Sequence, residues 1–154
     1  NAEYQHMGTT LVCAVARSDM AVIGNIGDSR AYHITPEGIF QISRDHSVVE
    51  NMVAKGDLTP LEARTHPNRN LITRALGPDI HAKADTFELP WHKDEFLLLC
   101  SDGLVNTVSD QEMLFEVLHD GDVNECLDHL LQISLQRGAP DNITAVLLLN
   151  EEGR

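Results

Sequence analysis

Apolar residues in this chain come in short runs closed off by turn residues, a spacing that favours strands over long helices. Residues 11–17 (Leu-Val-Cys-Ala-Val-Ala-Arg) and 20–26 (Met-Ala-Val-Ile-Gly-Asn-Ile) read as two strands joined at Ser18-Asp19. Ser29 to Ile34 and Ile39 to Ser43 read as two more, hinged at Thr35-Pro36-Glu37-Gly38, where a Pro-then-Gly pattern favours a tight turn. Further strands are expected near Ala82 to Glu88, Glu95 to Ser101 and Ile143 to Leu149.

Helices are marked by their starts. Ser47 with Glu50 has the spacing of a capping box, with Gly56 as the stop, and Thr59-Pro60 with Glu62 opens a second helix. Ser109 with Glu112 opens a third. Asp122 with Glu125 opens a fourth, whose Val123, Cys126, Leu127, Leu130 and Leu131 form one apolar stripe ended by Gly138. Strands come first, then a helical insert between about Asp45 and Ala75, more strands, two helices and a last strand. That order is not the regular alternation of a doubly wound fold and predicts an α+β fold with mostly antiparallel sheet.

The 154 residues suit one domain. No apolar run approaches the ~20 residues needed to cross a bilayer, and no basic-then-apolar leader stands at the front. Cys13, Cys100 and Cys126 lie on apolar strand or helix faces, an odd count without a Cys-x-x-Cys pair; buried thiols in a reducing, cytoplasmic protein are expected. The net charge of −13 is almost all in the second half, −1 over residues 1–77 against −12 over residues 78–154. A surface this acidic repels a phosphate backbone, so nucleic acid is not expected as a partner, and with no apolar run of spanning length a membrane is not expected either.

Two acidic turns follow or precede strand-like runs: Ser101-Asp102-Gly103 after Phe96–Cys100, and Asp141-Asn142 before Ile143–Leu148. A rigid strand end can hold a carboxylate accurately enough to ligate a hard cation. Each turn also has a plain reading. Asp102-Gly103 is a common hairpin dipeptide, Asp141-Asn142 a common Asx turn, and Gly27-Asp28-Ser29-Arg30 by default a hairpin loop. Other chemistries lack their motifs. There is no phosphate-binding Gly-x-x-x-x-Gly-Lys loop, no Cys followed six positions later by Arg, and no His-Glu-x-x-His or Cys/His quartet.

Six segments in sequence carry a resemblance: Met7-Gly8-Thr9-Thr10, Ile23 to Tyr32 with Gly27-Asp28-Ser29-Arg30, Arg44-Asp45-His46-Ser47, Asn70 to Gly77, Ser101-Asp102-Gly103-Leu104 and Asp141-Asn142-Ile143-Thr144. In this order they resemble the type 2C family of metal-dependent protein serine/threonine phosphatases, in its compact bacterial form, from about Met7 to Leu148. The resemblance implies a two-layer antiparallel β-sandwich flanked by helices. It also implies a phosphoprotein substrate, a Ser/Thr kinase in the same pathway, and Mn²⁺ or Mg²⁺ as cofactor, two or three ions in the complete domain. Carried onto this chain, it makes Asp102 and Asp141 metal ligands, with Asp28 joining Asp102 at a weaker third site. The segment from Asp45 to Arg74 becomes a flap beside the cleft, and Thr9 and Thr10 become structural. In such a centre a pair of ions about 4 Å apart activates water for attack on phosphorus, so no catalytic side chain is required as nucleophile.

The family's domain opens with a portion that has no counterpart here, carrying a phosphate-binding Arg and an Asp-Gly-x-Gly-Gly loop. This chain has two Asp-Gly pairs, Asp102-Gly103 and Asp120-Gly121, and neither continues into that loop. Residues 1–154 therefore match the C-terminal part of one phosphatase domain. Two expectations follow: no turnover by this chain alone, and either self-association or pairing with the missing N-terminal half. The rival reading is a non-catalytic, pseudophosphatase-like module that binds phosphoproteins.

Overall fold

Strands form where the apolar runs stand, but most pair with partners far along the chain. The computed structural model describes residues 7–78, 81–119 and 122–152. In chain order its elements are β1 (Leu11–Ala16), β2 (Met20–Ile26), β3 (Arg30–Thr35), β4 (Gly38–Gln41), α1 (Val48–Lys55) and α2 (Pro60–Thr65). There follow β5 (Asp85–Pro90), β6 (Phe96–Cys100), α3 (Asp102–Val105), α4 (Asp110–His119), α5 (Val123–Gln136) and β7 (Ala145–Leu149). Two antiparallel sheets result, one ordered β1-β2-β5 and the other β4-β3-β6-β7. The α+β sandwich flanked by helices is thus the observed fold.

The alternation of side chains along β6 shows how two cores are built from one strand. Leu97 and Leu99 face the other sheet and pack with Ala21, Ile23, Ala31, Leu89 and Trp91. Leu98 and Cys100 face the opposite way, onto Leu104, Met113, Val117, Cys126 and Leu130 of the helices. Leu97 and Leu98 are both fully buried, each stabilising the fold by roughly 1.5–3 kcal/mol relative to an exposed position. β6, central in the larger sheet, is therefore covered on both sides, which explains its unbroken apolar run.

The three-stranded sheet is covered on its inner side only, among the described residues. Odd-numbered residues of β1 point outward, so Leu11, Cys13 and Val15 are exposed. The expectation of a buried Cys13 is corrected on this point; Cys100 and Cys126 are buried as expected.

Gly27-Asp28-Ser29 is not a hairpin loop. β2 pairs with β1 and β5, whereas β3 pairs with β4 and β6, so the segment is a corner by which the chain passes from one sheet to the other. The helical insert between β4 and β5 is anchored at its stems. Val48 donates to Leu71 O (2.9 Å), Thr73 donates to His46 O (2.7 Å), and Ser47 bridges Ile72. Ser47 caps α1 by accepting from Glu50 N–H (3.1 Å), but the Glu50 carboxylate reaches Arg44 instead of completing the box. α2 has the full capping box and buries no residue.

Candidate metal centre

Three turns carry the three aspartates singled out above. The corner holding Asp28 turns at Gly27, whose φ of 105° lies in the left-handed region that favours glycine. The space a side chain would need there is filled by Thr10, whose hydroxyl hydrogen-bonds the Ser29 hydroxyl (2.8 Å). His46 takes hold of the same corner. Its Nδ1 accepts from Gly27 N–H (3.0 Å) and its own N–H donates to Gly27 O (2.8 Å).

Asp102 stands at the end of β6 as the first residue of α3, a four-residue helix that the apolar pattern does not announce. Ser101 precedes it at the cap position, yet its hydroxyl makes no cap hydrogen bond. It donates instead to Asn142 O (3.2 Å) and accepts from Thr144 N–H (3.0 Å), while Ser101 N–H donates to Thr144 O (3.0 Å). These bonds continue the β6–β7 ladder beyond its last pair, Cys100 with Ala145, and set the turn of Asp102 beside the turn of Asp141. Asp141 itself accepts from Asn142 N–H (2.7 Å).

The charges of the three groups are felt in a chain. Burial raises the Asp28 pKa above the ordinary carboxylate value, and the Asp102 charge raises it further. Burial likewise raises the Asp102 pKa, with the Asp141 charge as the next cause. The Arg30 guanidinium relieves this crowding at Asp28 only weakly, by less than burial and the Asp102 charge raise it, because its hydrogen bonds go elsewhere. It binds Asp45 through Nε (3.0 Å) and Nη2 (2.8 Å) and the Tyr32 hydroxyl through Nη1 (3.0 Å). The donors left over are hard carboxylate oxygens of like charge, a set that suits Mn²⁺ or Mg²⁺ and suits neither a soft metal nor a lone proton relay.

The fit is partial. Among the described residues no three His, Cys, Asp or Glu side chains form a group able to enclose an ion. Asp28 neighbours Asp102 and Asp102 neighbours Asp141, as two pairs sharing one member. Asp28 and Asp102 line a cleft of about 580 Å³, walled by α1 and α2 on one side and the α3–α4 connection on the other. Asp141 is not among the residues lining it. His46 and Ser101 lie inside the quoted motifs, but nothing in their spacing signals the bonds they make.

The protein phosphatase 2C family profile matches residues 1–147. The serine/threonine phosphatase stp of Listeria monocytogenes is 37% identical over 151 residues, which cover 96% of this chain and 60% of that protein. The crystal structure of the serine/threonine phosphatase Stp1 from Staphylococcus aureus superimposes with a TM-score of 0.92 at 43% identity, over 97% of this chain and 59% of that one. The catalytic domain of the serine threonine protein phosphatase PstP, in complex with two manganese ions, superimposes with a TM-score of 0.82 at 34% identity, over 93% and 59%. The chain therefore spans about 60% of the length of the relatives it matches.

Proposed function

The chain belongs to the protein phosphatase 2C family, and from that premise we propose that it forms the larger part of an enzyme removing phosphate from phosphoserine and phosphothreonine in proteins. The observation that supports the reading is the adjacency of Asp102 to Asp28 on one side and to Asp141 on the other, with the Arg30 guanidinium already held by Asp45. In this reading Asp102 and Asp141 hold Mn²⁺ or Mg²⁺, and Asp28 shares a weaker site with Asp102. The bound ions supply an activated water and charge neutralisation at the phosphoryl oxygens.

The chain's own residues do the rest. Ser101 sets the spacing between the Asp102 and Asp141 turns, the Arg30–Asp45 pair keeps the floor of the cleft rigid, and the cleft between the insert and the α3–α4 connection receives the phosphorylated segment. A Ser/Thr kinase acting on the same proteins is the natural counterpart, and the cytoplasm the natural compartment. No helix among the described residues is long and apolar enough to cross a membrane.

By itself the chain supplies too few ligands for turnover. The rival reading, a phosphoprotein-binding module, draws on the same shortage; the three intact aspartates favour the enzyme. Two assays test this. The 154-residue chain with Mn²⁺ is expected to leave p-nitrophenyl phosphate intact, and Asp102-dependent hydrolysis would overturn its inactivity. The protein expressed with any coding sequence upstream of Asn1 is expected to hydrolyse a phosphothreonine peptide with Mn²⁺ and to lose that activity in Asp102→Asn. Full activity in the variant would end the metal reading. The exposed outer face of β1 is where a missing half would pack. A stable, non-aggregating monomer of this chain in size-exclusion chromatography would count against such pairing.

A further inference from the structure

We infer that His46 is a positioning residue for the Asp28 carboxylate and acts through the backbone of Gly27. The inference rests on the reading of Asp28 and Asp102 as metal ligands. His46 is 6% exposed and sits where the corner, both stems of the helical insert and the start of β5 meet. Its ring has one possible arrangement of donors. A backbone N–H can only donate, so Nδ1, 3.0 Å from Gly27 N, is the acceptor. The ring proton then lies on Nε2, which donates to Asp85 Oδ2 (3.0 Å). Arg74 fixes Asp85 in turn, donating through Nη1 to Oδ1 (2.7 Å).

The consequence for Asp28 is mechanical. Gly27 N–H belongs to the peptide group before Gly27 and Gly27 C=O to the peptide group after it. His46 binds both, through its ring and its own N–H, and so fixes the two rotations on which the direction of Asp28 depends. A glycine has more freedom in those rotations than any other residue, and this clamp removes it. Thr10, packed in the notch above Gly27, closes the remaining direction. Without the ring acceptor the first peptide group is released, and the carboxylate of Asp28 loses its fixed approach to Asp102. A purely structural histidine would stabilise the fold without affecting what Asp28 binds.

Two replacements separate these roles. Asparagine can present a carbonyl oxygen near the position of Nδ1, whereas glutamine can present an amide N–H near that of Nε2. The measurement is Mn²⁺-induced broadening of the backbone amide resonances of Asp28 and Asp102 in the ¹⁵N-labelled chain, with thermal unfolding of each variant alongside. His46→Asn is expected to broaden at the wild-type Mn²⁺ concentration. His46→Gln is expected to need about 10-fold more, as for loss of a partner one step behind a metal ligand, and to show faster exchange of the Gly27 amide. Equal Mn²⁺ response in His46→Gln and wild type overturns the inference. So does a parallel loss of response and stability in both variants. Asp28→Asn distinguishes the underlying reading: wild-type broadening in that variant removes Asp28 from the metal ligands, and this inference with it, while leaving a site at Asp102 and Asp141 standing. Should His46→Gln fail to fold, Mg²⁺ titration of the wild-type chain decides. The His46 Nδ1 resonance is expected to shift with the same midpoint as the Asp28 amide, and a stationary Nδ1 overturns the inference.

Discussion

Gly103 lies so close to the carbonyl oxygen of Asn142 that a β-carbon at position 103 would overlap it. The turns bearing Asp102 and Asp141 thus touch through their backbones, and the Ser101 hydroxyl donates to the same carbonyl. Gly103→Ala should force the turns apart at a cost of about 2 kcal/mol, an overpacking penalty with no flexible neighbour to absorb it. Thermal unfolding followed by circular dichroism should show the midpoint falling by about 4–8 °C. An unchanged midpoint would show that the two turns do not meet.

Asp102→Asn should make the metal-free chain more stable. Burial and the Asp141 charge raise the Asp102 pKa in the fold. A carboxyl whose folded pKa is raised contributes stability below its unfolded pKa, and that contribution is lost as pH rises through the folded value. At neutral pH the charge is therefore unfavourable, while an amide oxygen still accepts from Gly103 N–H. The midpoint should rise by about 2 °C at pH 7, a gap that closes on acidification, and the Mn²⁺ response should weaken.

Asp85 has the opposite sign. Hydrogen bonds from His46 and then Arg74 lower its pKa below the ordinary value. Its contribution is complete above the unfolded pKa of about 3.9 and disappears as pH falls through the lower folded value. Asp85→Asn should lower the midpoint at pH 7 by about 1–3 °C, a small figure because the side chain is 40% exposed. Melts of both proteins across the acid range should converge below that window; a constant gap would refute the assignment.

α2 should be separable from global stability. It buries nothing and is held by Thr59, whose Oγ1 accepts from Glu62 N–H (3.2 Å) while the Glu62 carboxylate accepts from Thr59 N–H (2.8 Å). Thr59→Ala removes about 1 kcal/mol of capping. Amide exchange over residues 60–65 should quicken about 5-fold while the global midpoint moves by less than about 1 °C. A global loss of several degrees would show that α2 supports the core.

What could be read from the sequence was whatever is decided locally. β2 occupies residues 20–26 as expected, and Thr59, Ser109 and Asp122 each begin a helix, because alternation and capping are written within a few residues. Pairing is not local. Gly27-Asp28 reads as a hairpin loop until β2 is seen to pair with β5 and β3 with β6. α3 has too few residues to show a period. The alternation in β1 was visible, but not which of its faces would be left bare, and so Cys13 was misplaced. In the site, the pairing of Asp102 with Asp141 came only as an implication of the family resemblance, since each turn read alone is an ordinary Asp-Gly or Asx turn. The parts of His46 and Ser101 lie in bonds to groups 19 and 41 residues away, which no spacing rule reports.

That bare face of β1 makes the protein addressable. The Cys100 thiol is pushed up to about 12 by burial, Cys126 is buried as well, and Cys13 alone among the cysteines meets solvent. An alkylating reagent should therefore mark one sulfur per folded molecule. A fluorophore attached there would stand between Leu11 and Val15 and change its emission when another surface settles over the strand.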